Sequence, residues 1–270
     1  MADIKITKKI NNTETETSIE LLNVNNTDLE LAKSILDALN QKQQAQETDS
    51  VFKTISPEPY TMRRIQECYI SPETLKAAIQ TKTLDKVIMP YDEIDITLDT
   101  GEIVTVVCGY SSPHMARFVF KDCIAEIAMF DEPTNKDGYY HSKGREYVLH
   151  NIYPRLPQEW RDLIKTRKLV ERFNGKKFEY EDTMWLLSST DVFGLSTDDL
   201  WTDLDDSFQL SIFKKDKQRI KTYQDAVVSY WLRSISQGTT THTEMVNVDG
   251  TDGNGNVKST RGIVPCFDIG

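Results

Sequence analysis

The apolar residues of this 270-residue chain come in short runs, and that segmentation limits what it can fold into. The densest runs, 104–107 and 226–232, fall far short of the roughly 18–20 uninterrupted apolar residues that a membrane-crossing helix needs. No membrane insertion is expected. After Pro90 the runs take on the period of a β-strand. Ile94, Ile96 and Leu98 alternate with polar residues, Asp99-Thr100-Gly101 supplies a turn, and 103–107 returns, which predicts a β-hairpin. Further short strands are expected at 184–187, 229–232, 243–248 and 262–269, separated by long polar connections at 193–206 and 249–260. Connections of that length in a compact domain are usually functional or packed on themselves.

Helices are expected to be few and short. Ser71 as N-cap with Pro72 at the first helical position opens one over 71–80,. Ser142 and Leu156-Pro157 open two more, over 142–151 and 157–165, the second turning Trp160, Leu163 and Ile164 inward,. The pattern predicts an α+β domain over 84–270, preceded by a connecting segment, 51–83, and an N-terminal arm, 1–50. Residues 1–25 of the arm are rich in Thr, Asn and Glu. Thr27-Asp28-Leu29-Glu30 then forms a capping box ahead of an amphipathic helix over 28–44, followed by a polar tether,. A helix with one apolar stripe is marginal alone in water. Its stripe residues Leu29, Ile35, Leu36 and Leu39 are therefore the candidate assembly contacts, with the rest of the chain, a second copy or another protein as partner.

Lys and Arg number 32 against 42 Asp and Glu, a net charge of −10, which argues against duplex nucleic acid or an anionic membrane as the main partner. The basic runs Lys165, Arg167, Lys168, Arg172, Lys176, Lys177 and Lys214, Lys215, Lys217, Arg219, Lys221 are expected to be solvated faces. Charges at the N-terminus, where a secretory signal needs an apolar core, predict no export by that route. The four cysteines, Cys68, Cys108, Cys123 and Cys266, lack C-x-x-C spacing and are expected as buried free thiols rather than disulfides or zinc ligands,.

Asp252-x-Asn254-x-Asn256 is the first half of a calcium loop, but Val257 stands at the Gly position and Ile263 at that of the bidentate Glu,. A metal-free turn is expected, with calcium as the alternative and no other cofactor. The acidic cluster Asp198, Asp199, Asp203, Asp205 and Asp206 is expected to be a solvated loop. There is no P-loop, no H-E-x-x-H and no G-x-S-x-G,, and no catalytic residue stands out. The stretch 236–244 is dense in hydroxyl, amide and imidazole groups. Gln237, Thr239, Thr240, His242 and Glu244 are the candidate ligand-binding residues, with a solvated hairpin as the alternative.

The order of several segments is more specific than any one of them: 117–123, 134–142, Leu156-Pro157, 185–188, Trp231-Leu232-Arg233-Ser234, and Gly262-x-x-Pro265-x-Phe267. Together they resemble a C-type-lectin-like domain of unknown function found in phage virion and tail proteins and in surface proteins of Gram-positive gut bacteria. That domain is distantly related to the formylglycine-generating-enzyme fold. Here Val264 stands where such domains usually carry Arg. The resemblance implies that Trp185, Trp231, Arg233, Gly262, Pro265 and Phe267 define the fold. An Arg flanked by apolar residues in a strand is usually paired, so Trp231 is expected in the core and Arg233 paired internally, with presentation of both to a ligand as the alternative. It further implies a non-enzymatic display protein of a phage particle, a fibre, spike or tail component assembled in the host cytoplasm. Such a protein would contact other virion proteins through its arm, form a homo-oligomer and recognise a host-surface glycan or protein. A decoration protein without a ligand is the alternative, and an enzyme of the formylglycine-generating or glycan-cleaving type is a third reading.

Overall fold

The computed structural model describes residues 3–11, 14–22, 64–65, 70–173, 176–194, 208–236 and 239–270, in two units, Met1–Thr61 and Met62–Gly270. In the first, β1 (Asp3–Asn11) pairs antiparallel with β2 (Glu14–Leu22), from Asp3 opposite Leu22 to Asn11 opposite Glu14. The Ile-x-Ile alternation at Ile4 and Ile6 fits that assignment. The 28–44 helix, with Leu29, Ile35, Leu36 and Leu39, and the tether after it lie outside the described residues, as does the 198–206 acidic cluster.

The second unit is mixed α+β, mostly strands with a few short helices. It opens with β3 (Arg64–Ile65), α1 (Pro72–Thr81) and α2 (Leu84–Val87), then β4 (Glu93–Thr97), β5 (Ile103–Ser111), β6 (Ala116–Phe120) and β7 (Ala125–Ala128). A helical stretch follows: α3 (Lys143–Tyr147), a π-helical turn at Val148–Ile152, and α4 (Gln158–Arg161). Next come β8 (Ile164–Lys165), β9 (Arg167–Phe173), β10 (Lys176–Asp182), β11 (Trp185–Leu186), α5 (Ser189–Phe193) and α6 (Asp216–Arg219). The chain ends with β12 (Lys221–Tyr223), β13 (Ala226–Val228), β14 (Tyr230–Ile235), β15 (His242–Val246), β16 (Asp252–Asn256), β17 (Thr260–Ile263) and β18 (Pro265–Ile269). One sheet runs β11-β18-β6-β5-β4-β3, with β8 also on β18; a second runs β16-β15-β14-β17-β7. The pairs β9–β10 and β12–β13 are separate ribbons.

The 94–107 hairpin forms as expected, Ile94 opposite Val106 and Thr97 opposite Ile103. Helix α1 also starts as expected: Ser71 Oγ accepts from Thr74 N, Pro72 occupies the first turn, and Leu75 and Ala78 turn into the core. Three expectations are corrected. The 157–165 helix stops at Arg161, because Ile164 and Lys165 pair with Ile269 and Asp268 of β18 instead. The 249–260 connection contains β16, paired along its whole length with β15. The 262–269 run is two strands in two sheets: Ile263 ends β17 opposite Ala125, and Pro265 starts β18 opposite Leu186. A proline has no N–H to continue a ladder, and the buried Val264 carries the chain across at that point.

A buried arginine joins these strands. Arg117 on β6 lies opposite Asp268 on β18 and donates to both its oxygens, at 2.7 and 2.9 Å. It also reaches Asp191 at 3.4 Å. The other Asp191 oxygen accepts from Ser188 N and Oγ, capping α5. Burial by itself would lower the Arg117 pKa, but the hydrogen bonds and charge of Asp268, with Asp191, overcome it and hold the guanidinium charged. Trp185 lies beside it, its ring 5.7 Å from the Arg117 guanidinium and 5.3 Å from that of Arg167.

The three described cysteines are free and buried. Cys123 packs so close to Gly262 that a Cβ there would sit 2.4 Å from its sulfur, which is why that position takes glycine. Burial, only partly opposed by Lys221, pushes the Cys123 thiol up to about 12. Lys221, expected on a solvated face, is instead buried, because its ammonium donates to the carbonyls of Phe120 at 3.1 Å and Lys121 at 2.6 Å.

Two measurements test this interior. Arg117→Met leaves Asp268 and Asp191 buried without their counter-charge, and urea unfolding should show a loss of about 3–5 kcal/mol. A loss under about 1 kcal/mol would mean the pair is not holding β6 to β18. Burial lowers the Lys221 pKa to about 8, whereas an unfolded chain keeps that proton to about 10.4. Between those values the unfolded state binds more protons, so this group adds stability as pH rises, on the order of 2–3 kcal/mol over the window. The stability difference between the parent and Lys221→Met should grow from pH 8 to 10.5; a flat difference removes Lys221 from the alkaline profile.

Candidate functional site

Trp231 sets the position of the candidate surface. Its indole is fully buried, and Nε1 donates to the Ile127 carbonyl at 3.0 Å. The ring passes under β16 so closely that a Cβ on Gly255 would lie 2.9 Å from it. Strand β16 reads Asp-Gly-Asn-Gly-Asn, and side chains alternate across a strand. Gly255 therefore covers Trp231 and Met245, while Asp252, Asn254 and Asn256 are exposed. The half calcium loop of the sequence is a pleated strand with its polar residues on one face. Among the described residues, no group of three or more His, Cys, Asp or Glu is placed to hold a metal ion.

That strand brings together two segments far apart in the expected motifs. His242 lies opposite Asn256, and Glu244 opposite Asn254, so these four side chains share one face of the β15–β16 hairpin. His242 and Glu244 are half-buried, and Thr240, just ahead of them, is exposed. The 239–242 turn holds itself together through hydroxyl bonds: Thr239 Oγ1 accepts from Thr241 N at 3.2 Å and lies 3.1 Å from Thr241 Oγ1. Thr241 Oγ1 in turn lies 2.9 Å from His242 Nδ1, and the 239–242 turn docks on β16 through Val257 N, which donates to Thr241 O.

Asn135 clamps this turn from outside, a role that the residue order alone did not reveal. Its backbone N–H donates to Thr240 O at 2.7 Å, and its Nδ2 to the carbonyls of Thr239 and His242. The side chain is 1% exposed. The Asn135 loop is anchored at its far end by Glu171 of β9, whose carboxylate accepts from Tyr139 N and Tyr140 N at 3.1 and 3.0 Å. Beyond it, Arg145 binds Asp182 of β10 through Nε and Nη2, its guanidinium 4.6 Å from the Tyr140 ring and 5.2 Å from that of Tyr180. The loop also presents the exposed His141 edge-on to the half-buried Tyr140, centroids 4.6 Å apart.

Of the candidate ligand-binding residues, Thr239, Thr240, His242 and Glu244 fall on one turn and strand, whereas Gln237 lies outside the described residues. The six residues expected to define the fold, Trp185, Trp231, Arg233, Gly262, Pro265 and Phe267, are all buried. Phe267 stacks on Phe118 at 5.7 Å and meets Trp160 edge-on. Arg233 N donates to Leu187 O at 2.8 Å, linking β14 to the segment after β11.

Asn135→Ala tests the clamp. Two part-buried carbonyls lose their side-chain donor, so unfolding should show a loss of about 1–3 kcal/mol,. Amide exchange at Thr241 and Val257 should accelerate, and unchanged exchange there would mean that the turn holds without Asn135.

No curated protein and no solved structure matches the chain. A family model does match, over residues 116–270, a span that begins at β6 and takes in Arg117, Asn135, Trp231 and the whole polar face. That span is more than half of the chain, which therefore belongs to the family described as Domain of unknown function (DUF6273).

Proposed function

We propose that this chain is a non-enzymatic recognition protein of a phage particle, whose C-terminal unit is a C-type-lectin-like domain that binds a host-surface glycan or protein. The observation that carries this reading is the polar face built by the 239–242 turn and the β15–β16 hairpin. It offers hydroxyl, imidazole and amide groups on a strand pair fixed from below by Trp231 and from the side by Asn135. Adaptable polar side chains on a rigid scaffold suit ligand binding, because little ordering cost remains when the ligand arrives. The larger ion pairs, Arg117 with Asp268 and Arg145 with Asp182, are turned inward and spent on the fold. The N-terminal arm would attach the protein to other virion components, in a homo-oligomer assembled in the host cytoplasm.

The double variant Thr239→Ala with His242→Ala tests this. The variant removes half-buried hydroxyl and imidazole bonds of the 239–242 turn, so its stability should fall by about 1–2 kcal/mol while the Asn135 clamp keeps the turn in place,. Binding to a panel of Gram-positive cells and immobilised glycans should fall by about tenfold or more, a loss of about 1.4 kcal/mol. A folded double variant that binds like the parent takes this face out of the site. A parent that binds nothing on the panel, yet joins particles, favours a decoration protein.

A further inference from the structure

In the basic run around 165–177, expected to be a solvated face, Lys165, Lys168 and Lys177 are exposed as expected, whereas Arg167 is buried, and these four residues line a concavity. Strands β8 and β9 and the hairpin partner β10 bring Lys165, Arg167, Lys168 and Lys177 around a cleft of about 450 Å³, together with Glu179 and Asp268. That volume is in the ordinary range for small-ligand sites. Four cations face two carboxylates in a protein whose net charge is −10.

Both carboxylates are already engaged. Asp268 is held by Arg117 through two hydrogen bonds. Glu179 is held by Lys168 at 2.5 Å and Lys177 at 2.6 Å, and these two ammonium groups pull its carboxyl down to about 2. Lys165 differs from its neighbours. It is exposed, sits opposite Asp268 on the β8–β18 ladder, and has no ion-pair partner among the described residues. Arg167 is 7% exposed, with its Nε and Nη1 buried and its guanidinium 5.3 Å from the centre of the buried Trp185 ring, so it supplies fixed positive charge beneath the cleft. Thr166 between them adds an exposed hydroxyl, and Met115 an apolar wall. A sugar ring has polar edges and an apolar face, and such a lining matches both.

We propose that this cleft binds an anionic saccharide unit, its oxyanion, phosphate or carboxylate, meeting Lys165 at the rim, above the buried positive charge of Arg167. The saccharide part rests on the recognition reading above; the oxyanion part rests on the cleft alone. The Lys165 ammonium offers a point charge and three donors to a planar or tetrahedral oxyanion, and the charge of Arg167 beneath it adds to the attraction.

Calorimetric titration of the full-length protein with glucose 6-phosphate, glucuronate and glucose tests this. One or both charged probes should bind saturably, more weakly at higher salt, while glucose does not. Preference between the two identifies the oxyanion. Lys165→Ala, at an exposed position, should weaken that binding by about tenfold. Saturable binding of neither charged probe, or equal binding by Lys165→Ala, overturns the proposal. The variant Thr239→Ala with His242→Ala should keep the affinity for the charged sugar while losing attachment to cells, so the two sites can fail separately.

Discussion

The Arg117 guanidinium is the interaction on which the larger sheet depends. It lies buried near the start of β6, where an uncompensated charge would be expelled, and it stays because Asp268 faces it across the ladder. Asp191 ties the same charge to the start of α5, and the Trp185 ring closes one side. Three stretches distant in sequence, around 117, 185–191 and 268, therefore share one charged centre. A shift of β18 by one residue would point Asp268 to the other face of the sheet and leave Arg117 without it. The pair thus selects the register of the last strand, whatever its net contribution to stability, since a buried pair can add little over a hydrophobic replacement.

Fixing β18 also fixes the second sheet. The chain reaches β18 through Val264 directly from β17, and β17 lies beside β14, which carries Trp231. The indole then dictates glycine at 255, and glycine there keeps β16 close enough for Asn254 and Asn256 to share a face with Glu244 and His242. The polar face is the outer layer of a stack whose inner layers are set by packing. Its side chains can vary without disturbing what lies beneath them, which is the arrangement a recognition surface requires.

Features written in local sequence were readable, and those set by distant partners were not. The 94–107 hairpin carries its own alternation and an Asp-Thr-Gly turn, and α1 its own Ser-Pro start, so both stood out. The break at Val264 and Pro265 did not, because a buried strand and a buried crossing are equally apolar. Strand β16 was read as a turn for a related reason. Asp, Asn and Gly favour turns, and the two glycines are explained only by what they face, Gly255 by Trp231 on another strand and Gly253 by the Asn247 side chain. At the candidate site, Thr239, Thr240, His242 and Glu244 could be picked out by their chemistry. Asn135 could not, since its role lies in three carbonyls roughly a hundred residues further along the chain. The partnership of Arg117 with Asp268 spans 151 positions and left no local mark.

The β9–β10 ribbon connects the two surfaces. Glu171 on its inner side anchors the Asn135 loop, which clamps the 239–242 turn, whereas Lys168, Lys177 and Glu179 line the cleft. Arg167 and Asp182, paired at one end of the ribbon, each meet a different neighbour: Trp185 for Arg167, Arg145 for Asp182. Any ligand that pulled the ribbon toward the cleft would strain the Glu171 bonds to Tyr139 and Tyr140 and, through them, the clamp. The polar face on the β15–β16 hairpin and the cleft thus share one structural element, Glu171, which belongs to a strand that lines the cleft and anchors the loop that clamps the 239–242 turn.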